Sequence, residues 1–236
     1  MSTIGIIIPT YNNEKEIYQC LDSIFKQSFN DFEIVIVNDG STDNTLNEIN
    51  KYIDQLDQVD KKKIKVISQE NKGSNPARNR GAKEIKNVKY VLFCDADVTL
   101  NKNFLQLTNE VLENHPEKSY CYTSFVYGYK KFKLYPFNAE KLKKMPYINT
   151  QSLIRFDHFP GFDENIKRLQ DWDLFLTMLE QSHEGIWLDK VMFKISTKSG
   201  KISGKWLPSF MYKLPFLKTV KEYNKAVEII KQKHHL

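Results

Sequence analysis

Four apolar runs in the first hundred residues each end in a polar segment whose side chains suit phosphate, hydroxyl or metal chemistry. The segments are Pro9-Thr10-Tyr11-Asn12, Asn38-Asp39-Gly40-Ser41-Thr42-Asp43, Asn71-Lys72-Gly73 and Asp95-Ala96-Asp97. In open α/β sheets, ligands bind beyond the carboxyl ends of the strands. If the four runs are strands of one sheet, we therefore expect these segments to line a single crevice.

Asp95 and Asp97 are two residues apart, directly after the apolar run Tyr90–Cys94. Adjacent unpaired carboxylates repel each other, and a hard cation such as Mn²⁺ or Mg²⁺ relieves that repulsion and neutralises charge on a diphosphate leaving group. The spacing therefore predicts a metal site with Asp97 and Asp95 as ligands. The alternative is that one aspartate only caps a helix that begins near Asn101.

The apolar runs that precede these segments are continuous rather than alternating, which is typical of strands buried on both faces of a parallel sheet. They are Ile4–Ile8, Glu33–Val37, Ile64–Ile67 and Tyr90–Cys94. Helical patterns lie between them, around Ile17–Phe25 and over Thr42–Ile53 and Pro76–Ile85. This βαβ succession predicts an α/β fold with a mostly parallel, Rossmann-like central sheet flanked by helices.

The pattern is less regular after Asn101. The aromatic-rich segment Tyr120–Tyr129 predicts a strand, and Lys130–Tyr147, with two prolines and many lysines, predicts a loop region. A helix is expected over Asp171–Gln181. Two strands are expected after it, near Ile186–Leu188 and Val191–Ile195.

A chain of 236 residues with 41% hydrophobic content can bury one sizeable core, so we expect one domain with a C-terminal appendage. Charged residues interrupt every apolar run before the roughly 20 residues that a membrane-spanning helix needs, and Met1–Pro9 lacks the basic start of a secretory signal. A cytoplasmic protein is expected. Cys20, Cys94 and Cys121 lie in apolar settings, which favours buried thiols over disulfides.

The ordered motifs together resemble those of glycosyltransferase family 2. Besides the four strand-end segments, they include Ala77-Arg78-Asn79-Arg80-Gly81, Gly161-Phe162-Asp163-Glu164 and Gln170-Asp171-Trp172-Asp173-Leu174. The resemblance covers roughly residues 3–203 and implies a GT-A fold and an inverting transferase. It divides the chain into a nucleotide-sugar-binding half (1–100), an acceptor half (101–203) and a C-terminal amphipathic helical extension (204–236).

The resemblance implies a donor site for a nucleotide diphosphate sugar, with a UDP-sugar preferred over a GDP-sugar. Its residues would be Pro9, Thr10, Tyr11, Asp39, Gly73, Arg78, Asp95, Ala96 and Asp97. Thr10 and Tyr11 would border the base, and Asp39 would accept a hydrogen bond from a uracil N–H. The alternatives are a plain turn role for Asp39 in Asp-Gly-Ser and a surface salt bridge for Arg78.

Asp171 falls where the family places its catalytic base, which takes a proton from the acceptor hydroxyl. A helix N-terminal role is its alternative. Asp173 is a competitor, although it is also expected to hydrogen-bond a neighbouring loop. Gln170 replaces the first acid of the family's Glu-Asp pair, and Ser196 stands where related enzymes often carry a late histidine, which predicts weaker metal binding.

The C-terminal extension carries apolar residues at helical spacing among lysines, including Trp206, Phe210, Leu214, Leu217, Val220, Tyr223, Val227 and Ile230. One interpretation is a helix that packs on the catalytic domain or a partner subunit. The other is peripheral contact with the inner face of an anionic membrane, through Trp206, Phe210 and Phe216 among Lys205, Lys213 and Lys218, which would suit a glycan or lipid-linked acceptor.

Other function classes fit less well. A nucleotidyltransferase or a nicotinamide oxidoreductase would carry a glycine-rich loop after the first strand, and Pro9-Thr10-Tyr11-Asn12 has no glycine. A net charge of +6 suits an anionic partner, but clustered carboxylates in the crevice exclude nucleic acid. A degenerate nucleotide- or carbohydrate-binding module is the remaining alternative, because of Gln170 and Ser196. The five histidines are assigned to surface or packing roles.

Overall fold

The computed structural model describes residues 3–197 and 217–236, which form a mixed sheet covered by helices on both faces. The strands are β1 (Ile4–Thr10), β2 (Phe32–Asp39), β3 (Ile64–Gln69), β4 (Tyr90–Phe93), β5 (Val98–Leu100), β6 (Tyr120–Tyr127), β7 (Lys130–Phe132), β8 (Leu153–Arg155) and β9 (Gly185–Ile195). The helices are α1 (Ile17–Phe25), α2 (Thr45–Asp54), α3 (Gln58–Lys61), α4 (Ser74–Glu84), α5 (Phe104–Asn114), α6 (Ala139–Lys144), α7 (Gln170–Glu180) and α8 (Lys218–Lys233).

The strand order across the described sheet is β3-β2-β1-β4-β8-β6-β9-β5, with β7 paired to β6 at the side. The first four strands are parallel, as the continuous apolar runs predict. Beyond β4 the pairing is mixed, since β8 is antiparallel to both of its neighbours and β6 is parallel to β9. The α/β fold class is confirmed, and its parallel character belongs to the N-terminal half.

Alternate residues of the parallel strands pack against helices on opposite faces of the sheet. Ile6 and Ile8 of β1 face the layer that holds α1, α2 and α5, whereas Ile7 faces the layer that holds α4 and α7. All three are fully buried. Helix α4 approaches the sheet closely at Gly81, where a Cβ atom would collide with the Ile7 side chain. A larger residue would push α4 outward, and with it the residues that the helix carries at the sheet edge.

Two predictions for the second half are corrected by the structure. The segment Lys130–Tyr147 is not a plain loop, because it contains β7 and α6; α6 is capped by Asn138, whose side chain accepts a hydrogen bond from the Lys141 N–H. The two strands expected within 186–195 are one strand, β9, whose middle residues Asp189 and Lys190 are exposed and interrupt the apolar pattern.

Helix α8 packs on the domain through Ile230, which is fully buried in the same layer as α4 and α7, and through the partly buried Val227. This supports the interpretation that the C-terminal helix covers the catalytic domain. Trp206, Phe210, Leu214 and Phe216, on which the membrane interpretation rests, lie outside the described residues, as do Lys205 and Lys213. None of the helices that the structure describes is both long and apolar enough to cross a membrane.

Candidate functional site

The strand register brings the four polar segments to one edge of the sheet. Thr10 of β1 pairs with Asn38 of β2, and Asp39 of β2 pairs with Gln69 of β3. On the other side of β1, β4 ends at Phe93, two residues before Asp95. The four segments therefore share one edge of the sheet, and a single ligand crevice at that edge stays a prediction.

Asp39 is almost fully buried and holds the loop that follows β3. Its Oδ1 accepts hydrogen bonds from the Gln69 side-chain amide at 2.7 Å and from the Lys72 backbone N–H at 2.9 Å, and its Oδ2 accepts one from the Gly73 N–H at 2.8 Å. Gly73 has φ +97°, which favours glycine. The Asp39 carboxylate therefore orders the segment that leads into α4. A carboxylate has about four acceptor positions, so a further donor such as a base N–H can still be accommodated.

Thr10 and Tyr11 differ in their exposure. Thr10 is buried, and its hydroxyl lies 3.3 Å from the Asn13 side-chain oxygen, whereas Tyr11 is 41% exposed at the rim of the crevice. Asn12 has φ +52° and accepts a hydrogen bond from the Thr42 N–H at 2.8 Å. This turn fixes the backbone next to Tyr11.

Arg78 forms a buried ion pair with the first aspartate of Asp95-Ala96-Asp97. Its Nη2 lies 2.6 Å from Asp95 Oδ1, and its side chain is 3% exposed against 33% for Asp95. The Gln151 amide donates to the other carboxylate oxygen of Asp95 at 2.9 Å. Arg78 therefore lies beneath Asp95 and is not the surface salt bridge weighed above. Gln151 was not predicted, and nothing in its local sequence marks it.

Asp95 and Asp97 flank Ala96, which is buried. The backbone N–H of Ser196 donates to the Asp97 carbonyl at 2.9 Å, so the residue that replaces the late histidine does lie beside the aspartate pair. Within residues 3–197 and 217–236, no three His, Cys, Asp or Glu side chains are grouped to hold a metal. The two carboxylates suit a hard cation with two protein ligands, in which water and ligand oxygens complete the shell.

Asp171 lies in the first turn of α7, after Leu169, whose φ is +61°. Its Oδ1 accepts a hydrogen bond from the Trp172 N–H at 2.9 Å. Burial raises the pKa of Asp171 above its usual range; the Arg78 charge opposes this shift and the Asp95 charge adds to it. Asp171 is therefore close enough to sense both members of the Arg78–Asp95 pair, and a carboxylate with a raised pKa is a better proton acceptor.

Two asparagines of α4 connect the halves of the domain. The Asn75 amide donates to the carbonyls of Asp163 and Ile166, at 2.8 and 3.0 Å. Asn79 exchanges two hydrogen bonds of 2.8 Å with the backbone of Phe162. The loop 161–166, which leads toward α7, is thus fastened to the helix that carries Arg78.

Asp173, the competitor for the base role, is 3% exposed and is paired with α8. Its Oδ1 lies 2.7 Å from Lys233 Nζ and 3.0 Å from His234 Nε2. The expected hydrogen bond to a neighbouring loop is replaced by this ion pair with the C-terminal helix. The surface or packing role predicted for the histidines fits the stacked rings of His158 and His183. His234 differs, because both of its ring nitrogens contact carboxylates.

The cysteines carry no chemistry at this site. All three are free and buried, and Cys20 and Cys94 have their sulfur atoms 3.9 Å apart. Burial raises the pKa of Cys121 to about 12, which removes the thiolate at neutral pH.

Solved structures with the same fold come from bacteria and archaea. The crystal structure of Staphylococcus aureus TarS 1–349 in complex with UDP-GlcNAc superposes with a TM-score of 0.72 at 23% identity, over 91% of this chain and 64% of that chain. The mannosyltransferase PcManGT of Pyrobaculum calidifontis, in complex with GDP-Man and Mn²⁺, gives a TM-score of 0.64 at 18% identity, over 82% and 56%. These likenesses confirm the GT-A fold.

Curated relatives match over part of their length. The poly(ribitol-phosphate) beta-N-acetylglucosaminyltransferase TarS of Staphylococcus aureus is 35% identical over 117 residues, which is 49% of this chain and 20% of TarS. The teichoic acid poly(glycerol phosphate) polymerase of Staphylococcus epidermidis is 30% identical over 195 residues, which is 76% of this chain and 26% of the polymerase. The uncharacterized glycosyltransferase YibD of Escherichia coli is 40% identical over 94 residues, covering 40% and 26%.

The chain thus spans about a quarter or less of the length of these three relatives. Residues 5–166, well over half of the chain, match the family model described as Glycosyl transferase family 2. The matched region contains the four strand-end segments and the Arg78–Asp95 pair, so the motifs, the fold and the family model agree. The chain therefore belongs to glycosyl transferase family 2.

Proposed function

We propose that the chain transfers a sugar from a UDP-sugar to a hydroxyl of a glycan or lipid-linked glycan, with inversion at the anomeric carbon. The observation that carries this proposal is the Arg78–Asp95 pair with Asp171 close enough to sense both charges, at the sheet edge where β2 ends in Asp39. The donor would lie against the half 1–100 and the acceptor would approach from the half 101–203.

The choice of UDP is supported by Asp39 and Tyr11, and by the ligands of the neighbouring TarS structures, which are UDP and UDP-GlcNAc. Tyr11 is exposed at the rim, where its ring can stack on a base. The buried Asp39 carboxylate offers an acceptor for a uracil N–H and holds the loop ending at Gly73, whose lack of a side chain leaves room for the nucleotide; no atom lies within 4 Å of the position that a Gly73 Cβ would take.

The leaving group needs positive charge. A divalent ion, Mn²⁺ or Mg²⁺, would be held by Asp97 and Asp95, and when bound it supplies that charge at the diphosphate. Arg78 pairs with one oxygen of the Asp95 carboxylate and Gln151 donates to the other, so both contacts hold this carboxylate in place. Ser196 adds a backbone contact and no strong ligand, so the chain's own hold on the ion is weak.

Asp171 would act as the general base. The acceptor hydroxyl oxygen attacks the anomeric carbon while its proton passes to Asp171, the new glycosidic bond forms, and the bond to the diphosphate breaks on the opposite face. UDP leaves with the bonding electrons. The raised pKa of Asp171 suits this step, because it brings the basicity of the carboxylate closer to working pH.

The test is a transfer and donor-hydrolysis assay with UDP-GlcNAc and Mn²⁺, comparing the wild type with Asp171→Asn and with Asp54→Asn, an exposed aspartate at the end of α2. Loss of a general base lowers the rate roughly 10²- to 10⁴-fold. We expect that loss in Asp171→Asn, unchanged UDP binding in both variants and normal turnover in Asp54→Asn. Full activity of Asp171→Asn would remove the base assignment, and UDP binding without any turnover of the wild type would favour the degenerate binding module.

A further inference from the structure

The last turn of α8 is fastened to the domain by a cluster of charged side chains, which we call the C-terminal clamp. Its members are Asp163, Asp173, Glu180, Lys233 and His234. Lys233 Nζ lies 2.9 Å from Asp163 Oδ2 and 2.7 Å from Asp173 Oδ1. His234 Nε2 lies 3.0 Å from Asp173 Oδ1, and its Nδ1 lies 2.7 Å from Glu180 Oε1. The clamp thus joins α8 both to α7 and to the loop 161–166.

The contacts of both ring nitrogens favour the cationic form of His234. Each ring nitrogen faces a carboxylate oxygen, and an ionised carboxylate only accepts hydrogen bonds. A neutral imidazole has one N–H, so one of its nitrogens would present a lone pair to a carboxylate. Burial lowers the pKa of His234, but the hydrogen bonds to Asp173 and Glu180 outweigh burial and raise the pKa above 6.5.

The clamp acts on the turn that carries the proposed base. Asp171 and Asp173 both lie in the first turn of α7, on either side of the buried Trp172. The Trp172 indole donates to the Leu142 carbonyl at 2.6 Å, which fixes this turn from the side of α6. The turn is therefore held by Trp172 from the side of α6 and, through Asp173, by α8 from the other side.

We propose that His234 and Lys233 are positioning residues for the transfer reaction: by holding Asp173, they orient Asp171 toward the acceptor hydroxyl. The inference rests on the proposed base role of Asp171. It assigns to the C-terminal helix a part in catalysis beyond covering the domain. It also makes the orientation of the base depend on the protonation of a histidine more than sixty residues away from it in the sequence.

The charged groups that face His234 come from three elements. Asp173 and Glu180 belong to α7, Lys233 to α8 itself, and Lys143 of α6 lines a cavity of about 330 Å³ that His234 and Glu180 also border. Lys143 is itself paired with Glu140 at 2.8 Å. The two carboxylates are therefore the groups in hydrogen-bond contact with the imidazole.

The sign of the pH effect follows from the raised pKa. A histidine whose folded-state pKa lies above its unfolded value contributes stability fully below 6.5 and loses that contribution as pH rises through the folded-state pKa. The clamp is therefore closed at lower pH and weakens on the alkaline side. Asp171 must be deprotonated to act as a base, so kcat should rise with pH as Asp171 loses its proton. At higher pH, kcat should fall again as His234 loses its proton.

The experiment compares the wild-type chain with His234→Gln and with His235→Gln, an adjacent exposed histidine, as the matched control. UDP-GlcNAc transfer or hydrolysis is measured across pH, and UDP binding is measured by calorimetry. Misplacement of a reacting group by about 1 Å can cost 10²-fold in rate, so we expect kcat of His234→Gln to fall roughly 10- to 100-fold with KM for the donor unchanged. The alkaline fall in kcat should be present in the wild type and in His235→Gln and absent from His234→Gln.

The proposal is overturned if His234→Gln keeps wild-type kcat, or if its alkaline limb equals that of the wild type. Should His234→Gln fail to fold, Asp173→Asn, which keeps the shape of the side chain, has to show the same loss of kcat and of the alkaline limb. The two assignments fail in different ways. If Asp171→Asn is fully active, the base role of Asp171 is wrong. If Asp171→Asn is inactive but His234→Gln has normal activity, only the positioning role of the C-terminal clamp is refuted.

Discussion

Replacement of Arg78 by alanine should destabilise the domain, because it leaves Asp95 beside Asp171 without its counter-charge. Arg78 is 3% exposed, makes a 2.6 Å ion pair with Asp95 and lies 5.2 Å from the centre of the Phe162 ring. Removing one partner of a fully buried pair costs about 3–5 kcal/mol. Asp95 is 33% exposed and keeps its bond to Gln151, so water screens part of the loss, and we expect roughly 2–3 kcal/mol.

Thermal unfolding followed by circular dichroism measures this effect. For a chain of 150–250 residues, 1 kcal/mol shifts Tm by roughly 2–4 °C, so Arg78→Ala should lower Tm by roughly 4–12 °C. Arg80→Ala is the matched control, since Arg80 is exposed on the same helix. In the double variant Arg78→Ala with Asp95→Asn, part of the lost stability should return, because the uncompensated charge is gone.

The reasoning fails if Arg78→Ala unfolds at the temperature of Arg80→Ala. It also fails if the double variant is destabilised by the full sum of the two single changes, since the cost would then come from lost packing around Phe162 and not from an unpaired carboxylate.

Two further predictions concern the packing of α4 and the titration of the base. Gly81→Ala should lower the free energy of unfolding, because the alanine Cβ would collide with the buried Ile7 side chain. Overpacking costs roughly 1–3 kcal/mol, whereas the gain in helix propensity is at most roughly 1 kcal/mol. Urea unfolding at constant m-value measures this loss of stability. For Asp171, the raised pKa predicts an acid limb of kcat centred above the ordinary value of 3.8, and a limb at or below that value would contradict the burial of the carboxylate.

The N-terminal half of the fold is predictable because its signals are local. Continuous apolar runs identify β1 to β4 to within two residues, and the polar residues directly after them mark the sheet edge where the candidate site lies. The second half is less so. Helix α6 is six residues long and rich in lysine, and its position is stabilised by the distant Trp172. Strand β9 is interrupted in sequence by Asp189, which is exposed although its backbone continues the strand.

The candidate site shows the same division. Asp39, Asp95 and Asp171 follow strands or open a helix, so motif and position both indicate them. Gln151 and His234 have no such local signal: their partners Asp95 and Asp173 lie 56 and 61 residues away, and only the fold brings them together. Residues that orient the proposed catalytic groups therefore escape sequence reasoning more readily than the groups themselves.

The central claim, a metal-assisted UDP-sugar site at the carboxyl edge of β1 to β4, is tested most directly by calorimetric titration of UDP into the protein with and without Mn²⁺. The wild type should bind UDP in a metal-dependent manner and GDP more weakly. Asp97→Ala should lose the metal dependence. Asp39→Asn, which turns one acceptor oxygen into a donor facing a loop N–H, should lose roughly ten- to hundredfold in affinity, the equivalent of one hydrogen bond to a charged group. No binding of UDP at millimolar concentration in the presence of Mn²⁺ would contradict the donor site.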